Sequence, residues 1–125
     1  MKWVKETKLR PVVFLLTILF TGAPGAAWAA DNIPIDRTVV MIFNYDNYAV
    51  IRFSPTFANN LGCGGGGNAT KHVVIIWDVD PDKKAQFASV LTAMSLNLRI
   101  GFGISNCFTL WGGGIPIAFR VDIAE

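Results

Sequence analysis

Histidine occurs once in this 125-residue chain and cysteine twice. That scarcity removes whole classes of chemistry. A structural zinc site wants about four ligands, and a thiol nucleophile wants a histidine partner. His72, Cys63 and Cys107 supply too few groups for either. A basic surplus is lacking too. Lys2, Lys5, Lys8 and Arg10 crowd the first ten positions, and from residue 30 onward seven basic residues face eight acidic ones. Nucleic-acid binding driven by phosphate neutralisation is therefore not expected. Long apolar runs are also missing. VVFLLTILF (Val12 to Phe20) is nine residues, well short of the roughly 20 that span a bilayer.

What is present begins with an address. A basic start, that apolar run and the small-residue stretch TGAPGAAWA, with Ala27 and Ala29 as A-x-A, have the layout of a secretory signal peptide. The expectation is cleavage after Ala29, no stable membrane insertion afterwards, and export to the periplasm or beyond. Residues 30–125 then form one small domain with a modest core. An even cysteine count in an exported chain predicts a Cys63–Cys107 disulfide.

Residues 30–37 read as a loose lead-in. TVVMIFNYDNYAVIRF (Thr38 to Phe53) is rich in β-branched and aromatic residues and turns at Asp46-Asn47, a hairpin pattern. This pairs Tyr45 with Tyr48, Phe43 with Val50 and Met41 with Arg52 on one face. Val40, Ile42, Ala49, Ile51 and Phe53 take the other, core-facing one. HVVIIWDV reads as a strand apolar on both faces. In DVDPDKKAQFASVLTAMSLNL the period becomes helical, with Asp80 as N-cap, Pro81 next, and Phe87, Val90, Leu91 and Met94 as the packing stripe. The rest of that helix is small and little charged, which predicts cover on more than one side or a contact between subunits. LRIGFGISNC is extended again, and Gly101 and Gly103 mark a bulge, a bend or a close backbone approach. Trp111 to Gly114 reads as a loop. IPIAFRVDI alternates cleanly, with Ile115, Ile117, Phe119, Val121 and Ile123 on one face. The predicted fold class is α+β, mainly β: about five strands in a mostly antiparallel sheet or OB-like barrel, with one helix and one disulfide.

Three motifs fail on context. Gly62, Gly64 and Gly67 complete a G-x-G-x-x-G, yet they precede a strand, whereas a dinucleotide loop follows one and opens a helix. Asp78, Asp80 and Asp82 mimic a calcium loop, but Lys83 and Ser89 stand where glycine and glutamate are needed. Gly103-Ile-Ser105-Asn-Cys107 misses the nucleophile elbow at its last position. No cofactor, metal ligand or catalytic residue is assigned. Aromatics are the feature a small core explains least. Trp111 lies between glycines, and Tyr45 and Tyr48 flank a turn; such side chains suit sugar stacking or a protein interface. With Arg52 on the same hairpin face and His72 beside the glycine loop, they form the candidate binding set.

The order VVMIFNYDNYAVIRF, Cys63, VVIIWDVDPD, QFASVLTAMSLNL, LRIGFGISNC and IPIAFRVDI resembles a class of small exported bacterial proteins. It also looks like the B subunits of subtilase-cytotoxin-type pentameric toxins. That resemblance implies an OB-like barrel and glycan binding. The GGGG and WGGG stretches depart from it, so no sugar-contacting residue is carried over. The expected function is a non-catalytic binding module, as an oligomeric subunit recognising a glycan or a protein. The alternatives are a structural envelope protein without a ligand pocket, and a small hydrolase using His72 and Ser105.

Overall fold

The computed structural model describes residues 30–125. The expected signal peptide, residues 1–29, lies outside the described residues. Five strands and one α-helix follow in the order β1 (Ala30–Asn44), β2 (Tyr48–Ser54), β3 (His72–Ile76), α1 (Lys83–Leu96), β4 (Arg99–Leu110) and β5 (Gly113–Ala124). The sheet closes on itself as a barrel, β1-β2-β3-β5-β4. Every pairing is antiparallel except β3 with β5, which meet in parallel at Val74 and Ile117. Closure removes the free sheet edges that would otherwise template aggregation. α1 touches β1, β3, β4 and β5, so it lies across one mouth of the barrel.

The hairpin register matches the sequence pattern from Asn44↔Ala49 to Met41↔Arg52. Val40 is then an extra residue, because Val39 pairs with Phe53. A one-residue bulge reverses which side chains face inward. Val39 therefore packs against the core while Val40 is exposed, contrary to its expected place there. Phe119 is a second bulge, between Ala118↔Ile104 and Arg120↔Gly103. It breaks the clean alternation expected of the last strand. Ala118 and Val121 join the core, while Phe119 and Ile123 are exposed.

The lead-in is not loose. Ala30 to Ile33 pair with β4, and pairing resumes at Arg37 after a bend at Pro34–Asp36. Proline has no N–H to give a ladder, so it suits an interruption of this kind. The bend presses Ile33 and Ile35 backbone onto Gly101, where a Cβ would sit 2.8 Å from the Ile33 carbonyl oxygen. That close approach is what the glycine in β4 accommodates. Phe53, Phe102, Ile51, Ile75, Ile100 and Ile104 fill the barrel interior.

The Asp80 side chain accepts the Asp82 N–H at 3.1 Å, and a turn through Pro81 leads into the helix. The regular helix starts two residues later than the proline pattern predicts, at Lys83. It ends on Asn97 in the left-handed conformation, with Leu98 N–H donating to the Ala93 carbonyl, a Schellman-type stop. Val90 and Ala93 face the barrel; Leu91 and Met94, expected in the packing stripe, are both 44% exposed. No helix among the described residues is long and apolar enough to cross a membrane.

The candidate binding face

Strand alternation puts Tyr48, Val50 and Arg52 on the outer side of β2. Their partners are Phe43 and Met41 in β1, and Ile76, Val74 and His72 in β3. The tip of the β4–β5 hairpin folds over this side. Val50, Val74 and Ile115 are fully buried there beneath Phe43, Tyr48, Ile76, Phe108 and Leu110, forming a second apolar cluster outside the barrel. The face expected to be partly wet thus has a dry centre and an exposed rim.

The five candidate residues fall on this one face. Tyr45 and Tyr48 stack with ring centroids 4.5 Å apart, and Tyr48 meets Phe108 at 5.0 Å. Trp111 stands edge-on to both Phe43 and His72, 5.3 Å from each. Arg52 pairs directly with His72 across the strands and is half-buried. Tyr45 and Trp111 remain exposed. Two supports hold the arrangement. Trp77 donates from Nε1 to the Asp46 carbonyl at 3.0 Å, fixing the turn between Tyr45 and Tyr48. The Cys63–Cys107 disulfide ties the β2–β3 loop to the hairpin that carries Trp111.

The glycine loop answers to that hairpin. Gly65 N–H donates to the Gly114 carbonyl at 3.0 Å, and a Cβ on Gly113 would lie 2.6 Å from the Gly65 Cα. Two backbones meet here at a distance only glycine permits. Gly62 and Gly66 have positive φ, which lets the chain turn between them. Asn59 closes the loop on Cys63 from both sides, donating to its carbonyl and accepting its N–H. Gly113 and Gly114 belong to β5, so the expected WGGG loop shrinks to a turn at Trp111-Gly112.

His72 is only 4% exposed. Its Nδ1–H donates to the Asn68 carbonyl at 3.0 Å. Burial lowers its pKa below the usual 6.5; the Asn68 hydrogen bond opposes this, and nearby Lys71 and Arg52 add to it. The ring is therefore neutral at pH 7. A histidine whose folded pKa is depressed favours unfolding when protonated. Stability is expected to be full above about pH 6.5 and to fall as pH drops below the unfolded value. Denaturant midpoints measured from pH 7.5 to 5 check this, with His72→Phe expected to flatten the slope in that range.

Phe108 and Leu110 lie beyond the LRIGFGISNC pattern, whose extended signal ends at Cys107. The actual strand passes through a bulge at Asn106, which has φ of 55°, and continues to Leu110. Among the described residues no three His, Cys, Asp or Glu side chains gather as a metal site. The chain matches no family model, no curated protein and no solved structure.

Proposed function

We propose that this chain is an exported, non-catalytic binding module with an OB-like barrel, and that it recognises a glycan or a protein through the outer face of β1–β2–β3. The barrel order, the parallel β3–β5 contact and the helix between β3 and β4 support the OB-like reading. OB folds bind ligands on the β2–β3 face, flanked by the β1–β2 and β4–β5 loops. One observation carries the functional reading: Tyr45, Tyr48, Arg52, His72 and Trp111 come from those segments and share one face. Exposed aromatic rings anchored from below lose little entropy on binding. The exposed Leu91 and Met94, neighbours one turn apart on α1, support assembly as a homo-oligomer, since their burial needs a partner.

The test combines a glycan array with sedimentation velocity on the purified protein. Array binding that Trp111→Ala and Tyr45→Ala each weaken at least tenfold, or a defined oligomer, supports the module. A strict monomer that binds no glycan would count decisively against it.

A further inference from the structure

The geometry points to a second site, a saccharide-sized cleft between the N-terminal half of β1 and the β2–β3 loop. It lies apart from the aromatic face and shares none of that face's residues. Asp31, Asn32, Pro34 and Arg37 line one wall; Thr56, Phe57, Ala58 and Asn60 line the other. The cavity measures about 570 Å³, inside the roughly 300–1,000 Å³ of small-ligand sites.

Two hydrogen bonds tie the walls together. Arg37 Nη2 donates to the Thr56 carbonyl at 3.0 Å, and Asn60 Nδ2 donates to Asp31 Oδ2 at 2.8 Å. The Arg37 side chain is nine-tenths buried and paired with Asp36, yet its Nε finds no acceptor among the described residues. That nitrogen is closed off from solvent, so Arg37 serves as a fixed part of the wall. Arg120 donates to Asn32 Oδ1, leaving the Asn32 Nδ2 hydrogens without a protein partner among the described residues.

The lining selects the ligand's chemistry. Asp36 pairs with Arg37, which leaves Asp31 as the charge of the lining, so a free anion gains nothing from the local charge. A hydroxyl group both donates and accepts, and so serves the Asp31 carboxylate and the Asn32 and Asn60 amides alike. Phe57, Pro34 and Ala58 offer apolar surface to ring C–H groups. A neutral ring carrying several hydroxyls, one sugar residue, satisfies both halves of the lining.

Backbone and side-chain amide NMR shifts on the purified protein test this. Methyl glucoside, methyl galactoside and N-acetylglucosamine are titrated to tens of millimolar, with sodium acetate and glycylglycine as charged and peptide controls. One sugar is expected to move Asn32, Phe57, Ala58 and Asn60 while leaving Trp111 Nε1–H still. Asn32→Ala and Asn60→Ala, each with an intact folded spectrum, are expected to weaken it at least fivefold. Silence with all three sugars overturns the proposal. So does a response confined to the Trp111 face, or one that acetate or glycylglycine reproduces. Loss of the aromatic-face reading through Trp111→Ala leaves this result unchanged, so the two sites fail separately.

Discussion

Replacing Cys63 and Cys107 together with serine lowers the unfolding free energy by about 2–4 kcal/mol. The bond joins positions 44 apart in sequence, so reduction returns a large loop's worth of freedom to the unfolded chain. For a domain of this size the loss is a sizeable part of net stability. The melting temperature is expected to fall by on the order of 10–25 °C. Calorimetry with and without reductant gives the same comparison on the unmodified chain. The effect is also local, because Cys107 sits in the hairpin that carries Trp111. Intact protein is expected to resist thiol reagents until reduced. A double-serine variant within about 0.5 kcal/mol of the parent would show that glycine packing between Gly64–Gly65 and Gly113–Gly114 holds the hairpin unaided.

Phe102→Ala is expected to cost about 3–5 kcal/mol. Phe102 is fully buried in the first half of β4, and its ring lies 5.6 Å from Phe53, which in turn meets Phe57 at 5.8 Å. This chain of rings crosses from the barrel interior to the β2–β3 loop. Truncation leaves a void that the closed sheet cannot collapse to fill, since its strands are hydrogen-bonded on both sides. Phe102→Leu, which keeps most of the volume, is expected to recover more than half of the loss. Urea unfolding of the three proteins measures both. A Phe102→Ala loss below about 1 kcal/mol would mean that the interior is not packed as described.

Much of the fold was legible because local rules acted alone. β-branched and aromatic runs, a two-residue turn at Asp46-Asn47 and the Asp80-Pro81 entry specify strands, hairpin and helix from neighbouring residues. The hairpin register from Asn44 to Met41 follows from the turn. The cysteine pairing follows from an even count and the expected export, and the structure contains that bond. Candidate residues Tyr45, Tyr48 and Arg52 could be placed on one face because alternation within a hairpin is a local property.

What escaped the sequence was set by closing the barrel. A closed sheet must coil, and bulges at Val40, Asn106 and Phe119 let it do so. Each bulge reverses a strand's inward and outward sides, so Val40 leaves the core and Ala118 enters it. Nothing local in those residues announces that reversal. The same closure straightens residues 30–37 into β1 beside β4, which creates the Arg37 cleft from a stretch that reads as polar lead-in.

The sequence by itself determined the hairpin, the central strand, the helix and the cross-link, because each depends on composition or on residues a few positions apart. The tertiary structure alone decided that Trp111 stands against His72, that Gly65 meets Gly114, and that two walls flank an open cleft at Arg37. Those contacts join segments tens of residues apart, and their geometry exists only once the five strands have closed into a barrel.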